Sequence, residues 1–170
     1  MEYYAVRILG IDPGIAIVGW GVVDSEQFKY KPIAYDSIRT AAGLPVEDRL
    51  ASIYSELSAI MEKYKPEAMA VEELFWNTNQ KTGIVVAEAR GVILLCARQH
   101  GIPIFEYTPL QVKQSVVGYG RAEKRQVIAM VTTLLKLPKP PKPDDTADAL
   151  ALAICHATVG ASVLSKYYKM

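Results

Sequence analysis

The stretch Val6-Arg7-Ile8-Leu9-Gly10-Ile11-Asp12-Pro13-Gly14 constrains the fold of this chain more than any other. An apolar β-type run, Val6 to Ile11, carries a single acid to its carboxyl end and stops at once on Pro-Gly, the strongest kind of local chain break. A second run, Ile17-Val18-Gly19-Trp20-Gly21-Val22-Val23-Asp24, soon repeats the pattern, so Asp12 belongs at the end of a buried strand beside a hairpin. A carboxylate there is costly to desolvate unless it is paired, protonated or bound to a cation. It either caps the Pro-Gly turn, as Asp often does, or has a chemical task.

The rest of the chain alternates. Phe28 to Thr40 reads as a third strand, making an antiparallel meander. Leu50, Ile53, Leu57, Ile60, Met61 and Tyr64 fall at helical spacing, giving an amphipathic helix over Val46–Tyr64 that ends before Pro66. Ala68–Glu72 is a strand with acid again at its carboxyl end. Asn77–Lys81 can cap a long helix running to about Gln99, with small residues at Ala87, Gly91 and Ala97. Then come a short strand, Pro103–Tyr107, and helices over Pro109–Val117 and Ala122–Leu137, the latter with Glu123 and Lys124 in its first turn. Lys136–Pro143, with four prolines and three lysines, is a semi-rigid linker. A last helix starts at Asp144 or Asp145 and runs to about Val159, its Ala/Leu/Ile side facing the sheet. Strands first, then alternating helix and strand, describe an α/β protein with a mixed sheet and helices on its faces.

With 170 residues, 51% of them hydrophobic and 22% charged, the chain is one domain with a core over about 6–160 and a C-terminal tail, 161–170. Cys96 and Cys155 lie in apolar helical stretches and read as buried free thiols of a reducing compartment. There is no charged-then-apolar leader, and the longest apolar run, Ala149 to Leu164, is too short and too rich in small residues for a membrane span. A soluble cytoplasmic protein is expected. The net charge of +1 hides an asymmetry: residues 1–75 hold 7 basic and 12 acidic side chains, whereas residues 110–142 hold 7 basic ones and only Glu123. That basic stretch is a polyanion-facing surface or a solvated helix face.

The acids can be placed relative to one another. If the strands of Asp12 and Glu72 are neighbours, their carboxyl ends bring both carboxylates to one edge. Asp145 and Asp148, three apart on a helix, share a face. Taken singly, the latter two are also ordinary first-turn acids of a helix. Taken together, four converging carboxylates would repel by roughly 4 kcal/mol per close pair at a protein-like dielectric, which calls for bound cations. Oxygen-only ligands favour Mg²⁺ or Mn²⁺ over zinc. Two such ions roughly 4 Å apart suit in-line displacement at phosphorus without a covalent nucleophile.

Gly10-Ile11-Asp12-Pro13-Gly14 with Gly19-Trp20-Gly21, Val71-Glu72-Glu73-Leu74-Phe75, Gln111-Val112-Lys113-Gln114 with Gly118-Tyr119-Gly120-Arg121-Ala122-Glu123-Lys124, and Asp145-Thr146-Ala147-Asp148-Ala149-Leu150-Ala151 together resemble the bacterial RuvC Holliday-junction resolvases, from about Val6 to about Thr158. The resemblance implies a ribonuclease H-like fold whose five-stranded sheet has three antiparallel strands then two parallel ones, flanked by helices. It also implies a homodimer that makes paired nicks in opposing strands of a four-way DNA junction. It names Asp12, Glu72, Asp145 and Asp148 as catalytic metal ligands for Mg²⁺, with Mn²⁺ able to substitute, and so prefers Glu72 to Glu73 and Asp145 to Asp144. It gives Phe75 to junction bases, Lys113 and Lys124 to the DNA backbone, and the RuvA–RuvB branch-migration complex as partner.

Each role is physically reasonable. An aromatic stacks on any unpaired base for roughly 1–3 kcal/mol, and ammonium groups neutralise phosphates. Phe75 as a core residue and Lys113 as a solvated lysine are the plain alternatives. The long helix from Lys81, with its small residues, is a candidate for the dimer interface or for close packing on its own sheet. Three other classes fit parts of the pattern. A sugar-kinase or actin-like ATPase needs a second phosphate-binding hairpin and roughly twice the length. A catalytically silent junction binder should lack one or more acids, and a ribonuclease H-like nuclease on RNA–DNA hybrids would share the acid set.

Overall fold

A computed structural model describes residues 5–73 and the backbone of 80–167, with side chains over 5–73 and 83–160. The elements follow in the order β1 (Val6–Asp12), β2 (Ile17–Glu26), β3 (Lys29–Arg39), α1 (Val46–Tyr64), β4 (Ala68–Glu72), α2 (Gln80–Gln99), β5 (Ile104–Tyr107), α3 (Pro109–Val117), α4 (Lys124–Leu134) and α5 (Asp144–Tyr167). The five strands form one sheet in the order β3-β2-β1-β4-β5. The β1–β2 and β2–β3 pairs are antiparallel, and the β1–β4 and β4–β5 pairs parallel. This is the expected mixed ribonuclease H-like sheet.

Alternation along the strands divides the apolar residues between two cores. Leu9 and Ile11 of β1, Val18, Trp20 and Val22 of β2, and Met69 of β4 face α1 and α2, packing with Ile53, Leu57, Met61, Ile93 and Cys96. Ile8, Val23 and Ala70 point the other way, onto α5. Both cysteines are free and buried. The sequence predicts that α5 presents an apolar side to the sheet; the structure buries it on both sides. Ala147 and the run from Ala149 to Ile154 are buried, because α3 and α4 cover the outer face with Val112, Val116, Val127, Val131 and Leu135. A helix enclosed in this way must be apolar nearly all round.

Several boundaries differ from the sequence reading. Phe28, expected to open the third strand, sits with Gln27 in a two-residue turn where both have positive φ (63° and 49°). This hairpin lacks the Asn-Gly or Asp-Gly signal that normally announces it. Helix α4 starts at Lys124, with Glu123 as its N-cap in a reciprocal capping box with Gln126. Its last expected residues are lost where the chain turns at Lys136 (φ 50°). Helix α5 continues to Tyr167, past the expected end near Val159.

Glycines bring α5 down to the sheet. A Cβ on Gly10 would stand 1.9 Å from the carbonyl oxygen of Ala149, and one on Gly19 would stand 2.0 Å from that of Asp145. Both obstacles are backbone and cannot rotate away. Gly10→Ala therefore has to lift the helix and should destabilise the protein by about 3 kcal/mol, at the upper end of overpacking costs. Within one protomer Gly91 in α2 has open space where its Cβ would be, so Gly91→Ala should stabilise the isolated protomer by about 0.5–1 kcal/mol through helix propensity. Urea unfolding of the two variants checks both signs.

Candidate active site

Parallel pairing of Ile11 with Val71 sets Asp12 and Glu72 side by side at the carboxyl ends of β1 and β4. Asp12 shares the α5 face of its strand with Ile8 and Gly10, and Glu72 shares it with Ala70. Glu73 has left the strand; it is exposed and its backbone N–H donates to the carbonyl of Tyr107 at 2.9 Å. The third contribution comes from the first turns of α5. Its backbone at Asp145 lies on Gly19, the cross-strand partner of Asp12. Buried Thr146 fixes that turn by donating its hydroxyl to the Asp36 carbonyl of β3 at 3.2 Å.

These elements enclose a cleft of about 230 Å³ lined by Asp12, Glu72 and Asp148 together with Lys113 and Lys124. Lys113 is carried by α3, whose start is fixed by the Thr108–Gln111 capping box directly after β5. Lys124 is the first residue of α4. Its ammonium donates to Asp148 Oδ2 at 2.9 Å. The sequence does not announce this ion pair, because α4 is brought over α5 only by tertiary packing. Asp145 is not among the cleft-lining residues, but its charge reaches both Asp12 and Asp148. Asp144 is instead engaged by Lys142 at 2.9 Å, and that ammonium pulls its carboxyl below the ordinary value. Phe75 lies outside the described residues.

The electrostatics are those of an under-compensated acid cluster. Burial first, then the charges of Asp148, Glu72 and Asp145, push the carboxyl of Asp12 from 3.8 up to about 8, against a smaller pull from Lys124. Glu72 is raised by burial and by Asp148, with Lys124 and Lys113 opposing. Asp148 is raised by burial despite its bond to Lys124. In each case the charged form lacks enough positive partners. Among the described residues no three acidic, histidine or cysteine side chains are grouped closely enough to hold a metal ion as they stand; Asp148 is compensated by the Lys124 ammonium. The donor set is all oxygen, half-buried and short of positive charge, which fits hard divalent cations.

The family model for crossover junction endodeoxyribonuclease RuvC matches residues 8–156. Crossover junction endodeoxyribonuclease RuvC of Brevibacillus brevis is 56% identical over 152 residues, covering 89% of this chain and 92% of the relative. Its namesake in Desulforamulus reducens is 57% identical over 150 residues, covering 88% and 92%. Among solved structures, Thermus thermophilus RuvC in complex with a Holliday junction substrate superposes with a TM-score of 0.89 at 34% identity, over 93% of this chain and 96% of that one. The yeast mitochondrial Holliday junction resolvase Ydc2, 15% identical over 99% of this chain and 84% of its own, shares the fold with a TM-score of 0.69. An acid cleft at the carboxyl ends of β1 and β4, on a sheet that superposes on this scaffold, and a sequence match along most of its length establish that the chain belongs to the RuvC family of crossover junction endodeoxyribonucleases.

Proposed function

We propose that this protein resolves four-way DNA junctions by paired symmetric nicks in opposing strands, using divalent cations held by Asp12, Glu72, Asp145 and Asp148. The observation that carries this is the acid cleft itself: three carboxylates on three elements line one cavity, and burial together with the neighbouring carboxylates raises the carboxyl of Asp12 to about 8. Two Mg²⁺ ions there, with Mn²⁺ as a substitute, would supply an activated water and stabilise the leaving oxygen. The protein's own part is to hold the acids at fixed spacing and deliver the scissile phosphate. Lys113 and Lys124 line the same cleft, so their ammonium groups stand where a phosphate must come. Phe75, three residues after Glu72 in the chain, is assigned to stacking on junction bases.

Paired nicks ask for two sites related by a two-fold axis. Helix α2 offers a surface for that pairing: Ile84, Glu88, Gly91 and Leu95 recur at helical spacing on its exposed side, with Ile84 54% and Leu95 53% exposed. We assign this stripe to the face between two copies. The same reading gives the RuvA–RuvB branch-migration complex as partner and the bacterial cytoplasm as compartment. No described helix is long and apolar enough to cross a membrane.

The direct test is cleavage of a synthetic four-way junction beside linear duplex and RNA–DNA hybrid, with Mg²⁺ or with chelator. Symmetric nicks confined to the junction and lost with chelator are expected; cutting of the hybrid alone would move the protein to another ribonuclease H-like activity. In the same assay Asp12→Asn should abolish cutting, by at least about 10²-fold, while junction binding measured in chelator persists. Normal nicking by that variant would remove Asp12 from the metal site.

Lys113→Ala should weaken junction binding and flatten its salt dependence, reducing the slope of log affinity against log salt by about 1. Unchanged affinity at every salt concentration would return Lys113 to a solvated role.

The acid cluster also links stability to pH. The folded state holds the Asp12 proton up to about pH 8, whereas the unfolded chain releases it near 3.8. The native state therefore binds more protons throughout that window, and without cations Asp12 destabilises the fold progressively as pH rises through it. Urea titrations in chelator should show that the wild type loses on the order of 2 kcal/mol more than Asp12→Asn between about pH 5 and pH 8. Added Mg²⁺ should narrow the gap, because it stabilises only the protein that keeps the carboxylate.

A further inference from the structure

Strand β5 lies at the edge of the sheet beside β4, and its last residue, Tyr107, pairs in register with Glu72. Its side chain lies on the α5 face, where its hydroxyl meets Nδ1 of His156 at 2.6 Å. His156 stands two turns beyond Asp148 on α5, is 1% exposed, and lies against the ring of Phe105 at 4.3 Å between centroids. Its Nε2 is buried with no hydrogen-bond partner among the described residues. Whichever tautomer is present, one ring nitrogen is left unsatisfied, a cost that an apolar residue of similar size would not carry.

The preceding residue, Glu106, faces the other way. It accepts from Nη2 of Arg90 on α2 at 2.8 Å, and Arg90 Nε donates to the backbone carbonyl of Glu72 at 3.4 Å. The Arg90 side chain is only 13% exposed, so this bridge is partly shielded from water. The end of β5 is thus tied on one face to the helix that carries Asp148 and on the other to the carbonyl of Glu72 itself.

We propose that Glu106 and Tyr107 form a two-sided positioning clamp, in which the Tyr107–His156 hydrogen bond and the Arg90 bridge together fix the spacing of Glu72 and Asp148. The clamp touches neither DNA nor cation; it acts through the two acids. It rests on the reading of those acids as cation ligands. Groups that orient ligands from behind typically change metal affinity or activity by about 10–100-fold when removed; here Arg90 acts through the backbone carbonyl of Glu72, and the Tyr107–His156 bond through the helix that carries Asp148. Arg90 also lies on the helix whose outer stripe is assigned to subunit pairing, so the clamp joins that helix to the catalytic strand end.

The experiment compares full-length wild type, Tyr107→Phe, Arg90→Lys and the double variant Tyr107→Phe/His156→Phe. Four readouts are taken: Mn²⁺ affinity of the DNA-free protein by electron paramagnetic resonance of the free ion, single-turnover junction cleavage, junction binding in chelator, and thermal midpoint. Expected are losses of about 10-fold in Mn²⁺ affinity and cleavage rate, with junction binding in chelator within twofold of wild type. The double variant should keep the Mn²⁺ defect of Tyr107→Phe while matching or exceeding wild-type thermal stability, because the orphaned imidazole is gone. Unaltered Mn²⁺ affinity in the folded variants, even with a lowered thermal midpoint, would reduce both contacts to ordinary packing and overturn the clamp. Should Tyr107→Phe not fold, Arg90→Lys decides by the same criterion. A wild type that binds Mn²⁺ through Asp12 but cuts no junction would defeat the proposed function while leaving the clamp to be judged on the Mn²⁺ affinities alone.

Discussion

Backbone contact between α5 and the glycines of β1 and β2 is the constraint on which the site depends. A helix normally rides on a sheet at the distance its side chains dictate; here Gly10 and Gly19 remove them, and carbonyls of Ala149 and Asp145 rest on the strands themselves. Close approach lets Asp148, which belongs to a helix, reach the carboxyl edge defined by Asp12 and Glu72, which belong to strands, and brings the charge of Asp145 to bear on Asp12. It also explains the composition of α5, where alanines alternate with Leu150, Leu152 and Ile154 in a helix covered on both sides. A larger residue in either layer would move the acids of one element away from those of the other.

The same geometry opposes folding electrostatically. Half-buried carboxylates gather around Asp12: burial and the charges of Asp148, Glu72 and Asp145 raise its proton affinity, and Asp148 adds to the effect of burial on Glu72. Lys124 pairs with Asp148 and Lys113 eases Glu72, but among the described residues no ammonium bonds to Asp12. The fold supports this arrangement with two apolar cores, one on each face of the sheet. On the proposed reading, stability from packing would offset the cost of a site that cations relieve.

Much of this was legible in the sequence, and the parts that were not share a cause. Period-two and period-3.6 patterns located the five strands and the principal helices, since alternation is a direct record of which face is buried. Strand ends and a helix turn have fixed directions, so convergence of acids from these elements could be expected, but the choice of Asp145 over Asp144 rested on the family resemblance. The preference for Glu72 over Glu73 needed the family resemblance, and the structure supplies the reason: Glu72 shares the α5 face with Ala70, whereas Glu73 turns out to solvent. The Gln27-Phe28 turn was hidden because neither residue is a usual carrier of positive φ. The cover of α3 and α4 over α5, the Lys124–Asp148 pair and the Tyr107–His156 bond all join segments distant in sequence. No local pattern encodes them.

Charge then acquires a spatial meaning that the net value of +1 conceals. Acids of the cleft come from the sheet and α5, whereas its lysines come from α3 and α4, which lie across α5 from the sheet. A polyanion approaching acids alone would be repelled; approaching over α3 and α4 it meets lysines before it meets carboxylates. Lys124 serves both demands, since its ammonium satisfies Asp148 in the free protein and lies in the cleft where a phosphate would compete for it. Cations held by the acids would relieve Asp148 of its need for Lys124 and so release that ammonium to the phosphate. On the proposed reading, cation binding and phosphate engagement would be coupled through this one side chain, and linkage makes any such coupling reciprocal.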